Sequence, residues 1–145
     1  MRAVYERCIE ETLASVSEAI DTAPSTLDDR IVAGIAEYIR FVTKDVRRAR
    51  LMHLEVRRAG NVLSGARQQA VASFTKVIES SARGTRVPAL DLHLLALGLI
   101  GAITELLIEW VMSEPSPPTE QLIDTAVYIF RRTFSSDGPL AASAG

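Results

Sequence analysis

The stretch LHLLALGLIGAITELLIEWVM, residues Leu92–Met112, decides the fold of this chain. Its apolar side chains cover nearly the whole circumference of a helix, so more than one neighbour must bury it, in a protein core or in a bilayer. Two carboxylates, Glu105 and Glu109, would each cost about 2.5–3.5 kcal/mol in a short membrane span. We therefore predict a buried or dimer-forming helix, in which Gly98 and Gly101 let another backbone approach closely.

Helical periodicity continues on both sides of this stretch. Apolar residues recur at steps of three and four, and no segment alternates as a strand does. Besides 92–112, the pattern predicts helices over residues 3–20, 27–43, 46–59, 61–83 and 119–134. Ser25 or Thr26 is a suitable N-cap, and Gly60 and Gly84 are suitable helix stops. We predict an all-α fold, a bundle of about six helices.

Length and composition indicate one domain. The chain has 145 residues, 48% of them apolar, and a formal net charge of −2. So small a charge predicts neither a polyanionic nor a polycationic partner. No signal-peptide pattern opens the chain, and the single cysteine, Cys8, cannot form an intramolecular disulfide. We expect a cytoplasmic helical domain at residues 1–134 and a flexible C-terminal tail at residues 135–145.

Residues that could carry out catalysis or hold a cofactor are scarce. The two histidines, His53 and His93, lie far apart and match no metal-ligand spacing. Cys8 falls on the apolar face of the first helix, where an inert thiol is usual. We predict no catalytic residues, no metal and no cofactor. A small helical enzyme remains a minor alternative, because it would need an acid, base or nucleophile set in a cleft.

Six basic residues lie on the third predicted helix or just before it. They are Lys44, Arg47, Arg48, Arg50, Arg57 and Arg58. Such a cluster can contact phosphates, but these side chains point in several directions, and Asp45 and Glu55 lie among them. We favour a solvated, ion-paired surface over a DNA contact, since no compact helix-turn-helix accompanies it.

Three segments resemble one protein family. RARLMHLEVRRAG at Arg48–Gly60, GLIGAITELLIEWV at Gly98–Val111 and PPTEQLIDTAVYIFRRTF at Pro117–Phe134 look like the C-terminal effector-binding and dimerisation domain of TetR-family transcriptional regulators. The resemblance covers residues 3–134, and MRAVYERCIEETL resembles the start of the family's linking helix. The family's N-terminal helix-turn-helix domain is not among these residues. We expect DNA binding only through such a domain.

The resemblance implies a homodimer. In the family, the last two helices pair with their symmetry mates as a four-helix bundle, which here would be the helices at 92–112 and 119–134. An interface of this kind would bury the excess apolar surface. The expected interface residues are Leu94, Leu97, Gly98, Gly101, Ile108, Ile123, Val127, Phe130 and Phe134.

The resemblance also implies a ligand pocket inside each subunit, between the middle helices and the first helix of the dimer pair. A small apolar or amphipathic effector would bind there. The expected lining residues are Tyr38, Met52, His53, Val56, Phe74, Glu105, Leu106 and Trp110. We expect Glu105 to be buried and therefore to need a partner such as Arg57 or a ligand cation.

Effector binding would act through the first helix, which in the family links the two domains. A ligand shifts such an equilibrium only if it binds the two arrangements with different affinity. A second interpretation needs no DNA-binding domain. In that case the chain is a free-standing helical dimer that acts as a ligand sensor or a protein-interaction module.

Overall fold

The fold is known from a computed structural model that describes residues 1–82 and 91–134, with side chains up to residue 132. These residues form six helices and no strand, which confirms the predicted all-α class. The helices are α1 (Arg2–Thr22), α2 (Leu27–Thr43), α3 (residues 46–58), α4 (Ser64–Ala82), α5 (Leu92–Met112) and α6 (Thr119–Phe134). The predicted stop at Gly84 and the predicted tail at residues 135–145 lie outside the described residues.

Helix ends fall where the sequence places capping residues. The Thr26 hydroxyl accepts a hydrogen bond from the Asp29 backbone N–H at 3.1 Å and so caps α2. Asp91 caps α5 in the same way, accepting from the Leu94 N–H at 3.1 Å. Gly60, which follows α3, has a φ of 60°, a conformation that favours glycine. The predicted cap at Thr26 and stop at Gly60 are confirmed.

The Thr26 cap gives a first prediction. Thr26→Ala removes the acceptor of an otherwise unpaired helix N–H and should lower the free energy of unfolding by about 1 kcal/mol. Thr125→Ala is the control, because Thr125 is exposed inside α6 and its hydroxyl bonds only the Gln121 carbonyl of its own helix. That change should be neutral or slightly stabilising. Urea unfolding of both variants tests this, and equal effects would contradict it.

Helix α3 departs from the uninterrupted α-helix predicted at 46–59. Val46–Arg50 and Val56–Arg58 are α-helical, but Leu51–Glu55 between them forms a π-helical turn. A 3₁₀ turn at Gly60–Val62 follows, so the next helix begins at Ser64 and not at residue 61. Periodicity could not reveal either change, because segments of five and three residues are too short to show a period that differs from that of an α-helix.

Helix α2 lies at the centre of the bundle. It packs against α1 on one side and α6 on another, while α4 packs against α5. Ile39 and Val42 of α2 are fully buried, as are Leu63 before α4 and Leu107 of α5. The core therefore runs through the middle of the domain and brings residues from all six helices together.

Two ion pairs join α2 to α6 at opposite ends. Arg131 donates to both oxygens of Asp28, at 2.8 and 3.1 Å, and Arg40 donates to Glu120 at 3.2 Å. Because each pair joins the start of one helix to the end of the other, the two helices are antiparallel. The four side chains are exposed, so the pairs fix the register of the helices more than they stabilise the fold.

Helix α6 uses its apolar face inside the subunit. Ile123, Val127 and Phe130, predicted at a dimer interface, are 5%, 9% and 3% exposed. They fill the subunit core because α6 packs against α2 and α5. The Phe134 side chain lies outside the described residues. Any interface with a second copy must therefore rely on other predicted residues.

Candidate ligand-binding site

A cavity of about 400 Å³ lies between α1, α2, α3, α4 and α5. Its volume falls within the usual range for small-molecule pockets. Apolar side chains from four of these helices form much of the wall, among them Ile9, Val56, Phe74 and Ile100. The site therefore depends on the packing of the whole bundle and not on one loop.

A second, smaller cavity of about 90 Å³ lies between α1, α2, α4, α5 and α6. Its wall is almost entirely apolar. Tyr38, Phe74 and Ile100 line both cavities, so these three side chains form the partition between them.

A polar pair lies in the wall of the larger cavity. The Tyr38 hydroxyl is 3.0 Å from His53 Nε2, within hydrogen-bonding distance. The Tyr38 ring also meets Phe74 edge-on, with centroids 5.1 Å apart, and meets His53 with centroids 5.9 Å apart. Such edge-to-face contacts restrict the rings. The pair is thus a fixed polar group in a mostly apolar wall.

The π-helical turn in α3 helps to orient His53. Leu51, Met52 and His53 are consecutive, and all three are buried, with His53 only 5% exposed. A π turn carries an extra residue per turn and so changes which side chains face inward. Here it places both Met52 and His53 in or beside the cavity.

His53 is neutral at pH 7. Burial, together with the positive charge of Arg57, lowers the pKa of its imidazole to about 3. Burial also raises the pKa of the Tyr38 phenol above its ordinary value. Two neutral groups can each donate or accept a hydrogen bond, and the direction depends on which ring nitrogen carries the proton. The pair can therefore meet a hydroxyl or a carbonyl on a ligand.

The structure brings most of the expected pocket residues together. Tyr38, Met52, His53, Val56 and Phe74 line the larger cavity. Leu106 and Trp110 do not line either cavity. Leu106 packs against the core, and Trp110 is buried, with a backbone carbonyl that accepts from the Ser116 hydroxyl at 2.7 Å.

Glu105 lies at the surface and not in the pocket wall. Its side chain is 67% exposed, so the prediction that it is buried is wrong. It is on the exposed side of α5 and lines neither cavity. The partner predicted for it is confirmed, because the Arg57 guanidinium donates to Glu105 at 3.2 Å.

Most lining residues on α4 and α5 were not predicted at the cavity. On α4 the wall includes Arg67, Ala70, Val71 and Phe74, of which only Phe74 was expected, and on α5 it includes Leu97, Ile100, Gly101 and Thr104. Both sets follow the spacing i, i+3, i+4, i+7, which marks one helix face. That spacing was available in the sequence. The sequence did not show that these two helix faces line the same cavity.

An apolar stripe on α5 is the second functional candidate. Leu94, Leu97 and Met112 are 63%, 40% and 63% exposed. A Cβ atom placed on Gly98 or Gly101, which share this face, would meet nothing within 4 Å. The helix is long and apolar enough to cross a membrane by length and composition, with 28% of its apolar window buried in the chain.

Other candidate sites are weaker. Among residues 1–82 and 91–134, no group of three His, Cys, Asp or Glu side chains could hold a metal ion. Cys8 is half-buried, and burial raises the pKa of its thiol, which makes it less reactive. In the basic cluster, Arg57 pairs with Glu105, Arg47 lies 3.7 Å from Asp45, and Arg48 donates to the Phe41 carbonyl.

Comparisons of this chain with protein-family profiles, with curated proteins and with solved structures find no match.

Proposed function

We propose that this chain is a ligand-sensing and dimerisation domain of a TetR-like, cytoplasmic transcriptional regulator. The observation that carries the proposal is the cavity of about 400 Å³ with the Tyr38–His53 pair in its wall. An apolar pocket with few, fixed polar groups suits a small apolar or amphipathic effector. No step of this function requires a catalytic residue.

The packing of α1 supports a sensing role. Tyr5 and Ile9 line the larger cavity, and Val16 and Ile20 line the smaller one, so α1 forms part of both walls. A ligand that prefers one position of these residues would shift the whole helix. In the TetR resemblance, α1 leads to the helix-turn-helix domain. Its movement would change the spacing of two such domains in a dimer.

The stripe on α5 supports association with a second copy. Glycine within a helix costs roughly 0.5–1 kcal/mol relative to alanine, and neither Gly98 nor Gly101 packs against its own chain. An antiparallel pairing of two α5 helices through Gly101 would place Leu94 opposite Ile108 of the partner subunit. The Leu94 and Ile108 side chains would thus pack against each other across the proposed two-fold axis.

A second copy explains the exposed stripe better than a membrane does. The opposite face of α5, with Leu99, Leu107 and Trp110, is buried in the subunit core. Insertion would pull this face out of the core and would carry Glu105 and Glu109, both exposed, into lipid. Pairing with a second copy leaves the core intact and keeps both carboxylates out of lipid.

A substitution that fills the larger cavity tests whether a ligand binds there. Ala70 lies in the cavity wall and is 6% exposed. Ala70→Leu would place a larger side chain in the empty space and should weaken binding of the neutral fluorescent probe N-phenyl-1-naphthylamine by roughly 10-fold or more. Fluorescence titration measures the affinity. Hydrogen exchange in α1 should slow when the wild-type protein binds the probe.

Ala72→Leu is the matched control, since Ala72 is exposed on the same helix and lines neither cavity. It should bind the probe as the wild type does. Equal binding by all three proteins would show that the probe binds elsewhere. No binding to the wild type, or binding with no change in α1, would count against the sensing proposal.

A further inference from the structure

The charged side chains that line the two cavities all have the same sign. Arg57 and Arg67 line the larger cavity, Arg30 lines the smaller one, and no Asp or Glu in the described part of the chain lines either. The remaining polar wall is neutral, because His53 carries no charge at pH 7. On this basis we propose that the ligand is an organic anion, a carboxylate with an apolar body. This inference rests on the proposed function.

Arg67 is the available cation. Its guanidinium forms no hydrogen bond or ion pair with any residue in the described ranges 1–82 and 91–134. It is exposed, yet its charge acts on Tyr5, which lines the same cavity. An arginine in this position can bind both oxygens of a carboxylate. It would hold the head of the ligand at the edge of the cavity.

Arg57 is the second cation, and Glu105 competes for it. The single contact between them is 3.2 Å long, and the two side chains are 40% and 67% exposed. Exposed pairs of this kind contribute little to stability, so a ligand carboxylate can replace Glu105. Glu105 therefore competes with the ligand carboxylate for Arg57, and removal of its charge should strengthen binding of the ligand.

The rest of the cavity sets the shape of the ligand. Besides the two arginines, the wall of the larger cavity includes Ala70, Val56 and the partition formed by Tyr38, Phe74 and Ile100. Beyond the partition lies the smaller, almost wholly apolar cavity. A flexible alkyl chain or a flat ring suits such an apolar wall. A cationic amphiphile would place its head among arginines, where like charges repel it.

The test compares three eight-carbon ligands that differ only in their head group. Octanoate, 1-octanol and octylamine are titrated directly by calorimetry at pH 7. We expect octanoate to bind roughly 10-fold more tightly than 1-octanol, and octylamine to bind most weakly. In Arg67→Gln, octanoate should lose this advantage while 1-octanol binds as before. In Glu105→Gln, octanoate should bind more tightly.

Arg58→Gln is the control, because Arg58 is exposed on α3 and lines neither cavity. Its octanoate affinity should equal that of the wild type. Equal affinity for octanoate and 1-octanol, or an Arg67→Gln variant that behaves like Arg58→Gln, would overturn the inference, as would the absence of binding by octanoate. Binding of N-phenyl-1-naphthylamine is measured separately and does not depend on charge. The proposed function can therefore survive if the anion proposal fails.

Discussion

Gly98→Gln should weaken dimer formation by roughly 100-fold or more in the dissociation constant, which corresponds to about 2.7 kcal/mol. The glutamine side chain would hold two α5 backbones apart at the point where Gly98 and Gly101 allow close approach. Within the subunit, the same substitution should increase the stability of the fold. The position is open, and glutamine is a better helix former than glycine, so the monomer should gain about 0.5–1 kcal/mol of stability.

This pair of opposite effects separates an interface from a folding defect. Sedimentation equilibrium measures association, and urea unfolding at low protein concentration measures the stability of the subunit. Gly65→Gln is the control, because a Cβ atom placed on Gly65 would also meet nothing within 4 Å, but this glycine lies on α4. The control should leave association unchanged. A wild-type protein that stays monomeric at high concentration would refute the interface on α5.

His53 should make the fold sensitive to mild acid. Its pKa is about 3 in the folded chain, against about 6.5 in an unfolded one. Between these values the unfolded chain binds a proton that the folded chain does not, so stability falls as the pH drops below 6.5. We expect a loss of about 2 kcal/mol between pH 7 and pH 5 from this residue. Below pH 3 its contribution should no longer change.

The variant that isolates this effect is His53→Gln. Glutamine does not titrate, and its amide can still pair with the Tyr38 hydroxyl. The variant should lose about 2 kcal/mol less than the wild type over the same pH interval. The same loss in the variant and in the wild type would mean that other groups cause it.

The sequence was sufficient for the helices because their signals are local. Helix caps, helix stops and apolar spacing each depend on a few neighbouring residues. The structure agrees with the predictions at Thr26 and Gly60. The π turn at Leu51–Glu55 could not be predicted, since five residues are too few to show a change of period in the apolar pattern.

The site was harder to predict than the helices, because a cavity depends on which helix faces point at each other. Apolar periodicity marks a buried face but does not distinguish a core from a cavity wall. Phe74 was therefore expected at the cavity and found there, while Trp110 was expected there and found elsewhere in the core. Glu105 was expected to be buried because α5 is apolar nearly all round, but α5 leaves one side exposed.

Leu97 and Gly101 belong both to the wall of the larger cavity and to the stripe on α5. If a second copy covers the stripe, the same two residues respond to ligand and to partner, and the two equilibria are thermodynamically linked. Any factor by which a ligand tightens the dimer must equal the factor by which the dimer tightens the ligand. The ligand affinity of this domain is then a function of protein concentration, and the abundance of the protein in a cell would set the ligand level to which it responds.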